Sequence, residues 1–331
     1  MDRMRKPTVH EIAKRAHVST ATVSRVINGG SGVDAATRAM VWRVIRELNY
    51  DVVRHPDRLA GILVFAPRAS FYNAQWRLAV SGVLHEASRH SIPVVFSNAT
   101  SPREVESMIH STIRCDGVQG VIEACLPIDW DPLVLPDDGA YIAKVPMLMK
   151  NPGHGVNVDM YDQFFSLTQE LITLGHTRIA LAVNAVQYWP VHRRIRGFVD
   201  ACRAARIDAH EIATIMPSWK AGAWLERRLN LNPRPTALIG GTSELSKLLF
   251  AELLRMRIAV PADLSYAGVG HSLPYEKPIF DTLEQPTFEL GRETVRLLQR
   301  VVTRPGTESV SVTLPAKLVK VGTTGPPPSA P

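Results

Sequence analysis

The sequence predicts a chain in two parts: a small all-α helix-turn-helix headpiece, then a larger α/β body built on parallel sheets. Three observations predict it. Three short apolar stripes at helical spacing crowd into residues 8–49. From Ile62 onward, strand-length apolar runs alternate with helix-length periods, which is the pattern of βαβ units. Charge is uneven as well: residues 1–60 hold 11 Lys and Arg against 6 Asp and Glu, whereas the rest hold 27 against 25. A basic head on a near-neutral body points to a polyanionic partner for the head, although a merely solvated basic surface gives the same count.

At 331 residues, with 45% hydrophobic content and a mean hydropathy of −0.02, the chain has room for two or three domains and a large core. Its three cysteines, Cys115, Cys125 and Cys202, lack CxxC or Cys/His spacing. Buried thiols in a reducing compartment are expected, with no disulfide, no metal and no cofactor. The first residues are charged and carry no secretory apolar stretch. The longest apolar run, around 59–66, is too short to span a bilayer. A cytoplasmic location and no membrane partner are the expectation.

In the head, Thr8-Val-His-Glu11 is a capping-box pattern, and Val9, Ile12, Ala13 and Ala16 form one apolar stripe behind it. A tight connection at His17-Val18 leads to Ser19, a good N-cap. The helix after it buries Val23, Val26 and Ile27 and turns Thr20, Ala21, Ser24, Arg25 and Asn28 outward. Asp34 then caps a third helix whose stripe is Val41, Val44, Ile45 and Leu48. A helix entering a major groove about 12 Å wide needs short side chains beside its backbone. Hydroxyls and the helix N-terminus suit phosphates, and an arginine suits guanine O6 and N7. An ordinary three-helix bundle with a polar outer face fits the same pattern.

Residues 8–50 resemble the DNA-binding headpiece of the lactose-repressor (LacI) family. The words that carry the resemblance are TVHEIAKRAHVSTATVSRVINGG and VDAATRAMVWRVIRELNY, which run to Tyr50 without a gap. The resemblance implies that Thr20, Ala21 and Arg25 face base edges, while Thr8, Ser19, Thr22, Ser24, Asn28 and Thr37 mainly hold phosphates. Tyr50 closes the DNA-binding set of the headpiece. His17 stands where the family often has glycine, which bears on the geometry of the turn.

The segment 51–61, DVVRHPDRLAG, occupies the place of the family's hinge helix, and Leu59 falls where its minor-groove wedge would lie. Two departures argue for a plain linker instead. Pro56 sits inside the expected helix, where only the first turn tolerates it. The run to the first strand is also about five residues shorter than is usual in the family.

In the body, strands are expected at 62–66, 94–97, 118–122, 145–149, 179–183, 237–239 and 264–267. Helices are expected at 76–89, 104–113, 161–174, 192–203, 243–255 and 288–302. The words LGHTRIAL, RRIRGF, RPTALIGG and VPADLSYAGVG follow the family's order more loosely. The resemblance implies a two-lobed, periplasmic-binding-protein-like domain over 62–323. Its lobes would be joined by crossovers near 155–159, 281–286 and 313–315, with a cleft between them. Residues 324–331 are expected to be a disordered tail.

No GxGxxG or GxxxxGK[ST] follows a strand, and GxSxG and HExxH are absent, so an enzyme is not expected. The resemblance points instead to an effector cleft. Arg194 matches the family's ligand-gripping arginine, Trp219 and Trp76 match frequent pocket aromatics, and Tyr72 and Asn73 share the loop of Trp76. Thr242, His271 and Asn151 stand where the family usually has acids or amides that pair with sugar hydroxyls, so a neutral sugar held in the usual way is not expected.

The resulting expectation is a homodimeric regulator, a repressor, bound to double-stranded operator DNA with an inverted repeat and tuned by a small-molecule effector. The alternatives are a periplasmic-type small-molecule binding protein without DNA function, or a regulator that needs no ligand.

Overall fold

The computed structural model describes residues 8–27, 32–48, 50, 59, 61–67, 74–99, 104, 118–124, 143–149, 153–184, 188–207, 211–215, 218–230, 232–271, 277–304 and 308–328. The head forms three helices, α1 (Val9–Arg15), α2 (Thr20–Ile27) and α3 (Ala35–Glu47). Their stripes meet in one core of Ile12, Ala13, Val23, Val26, Val41, Val44 and Ile45. The Thr8 hydroxyl accepts from the Glu11 amide at 3.4 Å, and the Asp34 carboxylate from the Thr37 amide at 2.9 Å, so both expected caps form. Between α1 and α2, His17 takes the left-handed conformation at φ 53° while the Val18 amide reaches the Ala13 carbonyl at 3.0 Å. The tight turn forms without the family's glycine, because histidine is one of the residues that enters this region more readily.

The body has two six-stranded sheets. The first contains β1 (Ile62–Pro67), β2 (Val94–Ala99), β3 (Gly120–Ala124), β4 (Ala143–Met147) and β5 (Gly155–Val158), with α4 (Ala74–Arg89) after β1. The chain then crosses to the second lobe through α5 (Met160–Thr173), β6 (Ile179–Val183), α6 (Trp189–Ala204), β7 (Glu211–Thr214) and α7 (Ala221–Leu229). β8 (Ala237–Gly240), α8 (Ser243–Arg255), β9 (Ser265–His271) and β10 (Asp281–Gln285) complete that lobe's main run. After β10, α9 (Thr287–Thr303) returns to the first lobe, where β11 (Ser311–Leu314) adds an edge strand, and β12 (Lys317–Val319) closes the second sheet.

The sheet orders are β11-β5-β4-β3-β1-β2 and β12-β10-β9-β8-β6-β7, all parallel except β10 with β12. The chain passes between sheets at 158–160, 285–287 and 314–317, at the three places expected. In such sheets the ligand crevice lies beyond the carboxyl ends of the strands, near the point where strand order reverses.

Separate cores stabilise the lobes. In the first, α4 and α9 cover one sheet face with Ile62, Val64, Ile122, Val145, Leu290 and Leu298. In the second, α5 and α6 cover one face through Phe164, Leu171 and Phe198, and Leu245, Leu249 and Tyr266 fill the other. Gly197 lets α6 lie against α5: a Cβ there would stand 2.3 Å from the Tyr161 carbonyl oxygen.

Two expectations need correction. Leu59 is 2% exposed and belongs to the first-lobe core. Only two residues separate it from β1, so the short connector draws it under the sheet instead of leaving it as a wedge. Residues 324–328 are not a loose tail. The Asp281 carboxylate accepts from the amides of Val321, Gly322, Thr323 and Thr324 at 2.7–3.2 Å and from the Thr324 hydroxyl. The Gly325 carbonyl lies 2.8 Å from His176 Nε2. These bonds offset the missing apolar content. Strands β7 and β12 and helix α7 are not among the expected elements, and β5, β10 and β11 fall on segments expected as crossovers. Pro56 and most of the expected helix 104–113 lie outside the described residues.

Candidate nucleic-acid interface and cleft

On α2, Thr20, Ala21, Ser24 and Arg25 are exposed and fall within one arc, opposite buried Val23, Val26 and Ile27. The Ser19 hydroxyl accepts from the Thr22 amide at 3.0 Å and lies 2.9 Å from the Thr22 hydroxyl, so the N-terminus of α2 is built as a cap. Thr8 is exposed at the start of α1. Arg25 has no ion-pair partner among the described residues. Its charge is therefore not neutralised within the head.

Two residues of the expected DNA-binding set have partners within the head. The Thr37 hydroxyl donates to Asp34 at 2.7 Å, which helps hold the Asp34 carboxyl below its usual range. Its proton is thus already spent. Tyr50 is half-buried against the head core, with its amide on the Ile45 carbonyl at 3.0 Å. Asn28 lies outside the described residues.

Between the lobes, the carboxyl ends of the two sheets are joined by side chains. Arg194, 3% exposed on α6, donates from Nη1 to the Gly241 carbonyl at 2.9 Å, just after β8. Its Nη2 lies 3.5 Å from Met160 Sδ, and its guanidinium sits 6.0 Å from the Phe164 ring centroid. Gln285, at the end of β10, places Nε2 3.0 Å from the same sulfur and accepts from Gln75 Nε2 of α4 at 2.8 Å. One chain of contacts therefore runs from the second lobe, across two crossovers, to the first. A surface role for Arg194 is excluded by its burial.

Thr242 stands at the N-cap of α8, yet its hydroxyl is buried and makes no hydrogen bond among the described residues. An N-cap hydroxyl left unspent beside a cleft is suited to a ligand. Trp219 is 76% exposed, in the turn Ser218–Lys220, with Lys220 Nζ 5.7 Å from its ring centroid. Asn184, at the end of β6, ties that turn down by donating to the Ser218 hydroxyl at 3.2 Å.

Trp76 corrects another expectation. It is 4% exposed within the first-lobe core, so it serves as packing and not as a cleft platform. His271 ends β9, opposite Gln285 in the ladder. Tyr72, Asn73 and Asn151 lie outside the described residues. Sequence reasoning missed Met160, Gln285, Gln75 and Asn184. Two of these are within reach of the sequence, since Gln285 lies inside one expected crossover and Met160 directly follows another, and crossovers must line the cleft.

Both parts of the chain match known protein families. Residues 8–52 match the family described as bacterial regulatory proteins, lacI family, and residues 168–324 match the periplasmic binding protein-like domain. The chain is 29% identical over 337 residues to the HTH-type transcriptional regulator CelR of Thermobifida fusca, covering 96% of this chain and 98% of the relative. It is 25% identical to the HTH-type transcriptional repressor PurR of Haemophilus influenzae, covering 89% and 91%. Among solved structures, a lac repressor dimer bound to operator and the anti-inducer ONPF superposes with a TM-score of 0.69 at 21% identity, covering 97% and 100%.

Proposed function

The chain belongs to the LacI family of bacterial regulatory proteins, and we propose that it represses transcription as a homodimer on an inverted-repeat operator, under the control of a small molecule in the cleft. The observation that carries this reading is Arg25: an exposed, unneutralised guanidinium on a helix whose other side is locked into the head core. Such a side chain meets guanine O6 and N7 in a bidentate pair. Two heads are needed, because helix-turn-helix dimers read half-sites about one helical turn apart, roughly 34–36 Å.

For the effector, Thr242 offers a free hydroxyl and Trp219 an exposed aromatic face, while Arg194 is already engaged with Gly241. An aromatic or acidic molecule suits this set better than an unmodified hexose. The relatives compared above are transcriptional regulators, and we read this chain as acting without catalysis. Among the described residues no helix is long and apolar enough to cross a membrane, and a cytoplasmic setting suits a DNA-binding protein.

The test is Arg25→Ala on selected operator DNA. It should cost about 1–3 kcal/mol of discrimination at one base pair per half-site, while Thr20→Ala perturbs a neighbouring pair. An equal loss on operator and random DNA would reduce Arg25 to a phosphate contact and remove the support for sequence reading.

A further inference from the structure

A cavity lies away from the Arg194 contacts, between α5 and the segments that cross between the lobes. Its volume is about 280 Å³, and Asp159, Asp162, Gln163, Ser166, Leu167 and Glu170 of one helix face line it, opposite Leu283, Pro315, Ala316 and Leu318. We propose that this cavity is a regulatory site for a small amphipathic amine, its ammonium group at Asp159 and Asp162 and its apolar body against Leu283, Pro315 and Leu318.

Gln163 points to a ligand most directly. It is 8% exposed, it lines the cavity, and neither its amide oxygen nor its amide nitrogen has a hydrogen-bond partner among the described residues. Leaving both ends of a buried amide unmet is destabilising, and a polar ligand group or bridging water removes that cost. The charges select the sign of the ligand. A hydrogen bond between the two carboxyl groups, and then the Asp159 charge, push the Asp162 carboxyl above its usual range; Arg193 offsets this only in part, and Asp159 also accepts from the Asp162 amide at 3.0 Å. Glu170 is already paired with Lys320. The least neutralised acids are therefore at the Asp159 end, where an ammonium group would relieve the repulsion that Arg193 leaves. The opposite wall is apolar, which favours an amine carrying hydrocarbon over a bare cation.

The cavity also touches every passage between the lobes. Asp159 precedes the first crossover helix, Leu283 lies in β10 just before the second, and Pro315 and Ala316 form the third. Any rotation of one lobe on the other reshapes these walls. A ligand that fits one arrangement better shifts the equilibrium by its differential affinity.

The test uses the full chain and cyclohexylmethylammonium as probe, with neutral cyclohexylmethanol as control. Calorimetry should show saturable binding of the amine and none of the alcohol. Gln163→Leu and Asp162→Asn should each weaken amine binding at least tenfold while the thermal midpoint stays within a few degrees of the parent. Absence of saturable amine binding overturns the site, as does binding that both variants leave unchanged. Those outcomes need no DNA and so stand apart from the proposed function. Operator affinity measured with and without saturating amine then tests the coupling, which does rest on that function: a shift of threefold or more supports it. An unchanged affinity, in a protein that does bind its operator, overturns the regulatory role.

Discussion

The head and the cleft use arginine in opposite ways. Arg25 is held out in solvent by a helix that packs into the head core through its other face. Arg194 is buried, and its Nη1 is engaged with the backbone of the strand end that it must help shape. A partner can reach the first without rearranging anything. The second is part of the machinery that keeps the lobes in one arrangement, so a ligand acts there by competing with internal bonds. The general lesson is that an exposed recognition residue reports its role through its spacing along a helix. A buried one reports its role only through its partners.

The sharpest way to break this comparison lies at Leu59, which the resemblance placed with the head and the structure places with the body. As a core residue, Leu59→Ala should lower the stability of the DNA-free protein by about 2–5 kcal/mol, read by denaturant unfolding. A wedge that waits for DNA would leave that stability untouched. Next, Arg194→Ala should cost about 1.5–3 kcal/mol of unfolding free energy even without ligand, because the Gly241 carbonyl loses a charged donor. No change would mean that the arginine serves only an effector.

Ser19→Ala should cost about 1 kcal/mol through the lost cap of α2, in the same unfolding experiment. The smallest effect concerns pH. Burial lowers the His176 pKa below its ordinary value, and the ring lies between Thr236, Ser265 and the Gly325 carbonyl. A depressed folded value means that the unfolded chain binds the proton first. The stability from neutral His176 is therefore complete above about pH 6.5 and is lost as pH falls through the folded value. His176→Gln should flatten the stability profile between about pH 7.5 and 5.5, and an unchanged profile would show that the histidine does not titrate there.

How much could be read beforehand follows the same division. The head was legible because its caps at Thr8, Ser19 and Asp34, its stripes and its exposed arc are local, and one helix period reveals them all. Even there, nothing in the spacing of Thr37 shows that its hydroxyl donates to Asp34. The body's main strands were legible from apolar runs. Strands such as β7 (EIAT) and β12 (KLV) were not, because they are short edge strands with exposed positions and take their stability from a neighbour far along the chain. The C-terminal residues GTTGP read as loose by composition, and partners far along the chain, chiefly Asp281 with His176 and Ser265, explain their order. Trp76 and Leu59 take their expected roles from position in a family pattern, and position does not show that both are buried in the first-lobe core.

The central claim is that two copies of α2 read sequence. Selecting DNA from a random pool with the purified full chain tests it most directly. The account predicts enrichment of an inverted repeat with half-site centres about one helical turn apart, with a guanine in each half-site whose preference weakens in Arg25→Ala. Enrichment of no sequence above background, or of a single unrepeated element, would contradict it.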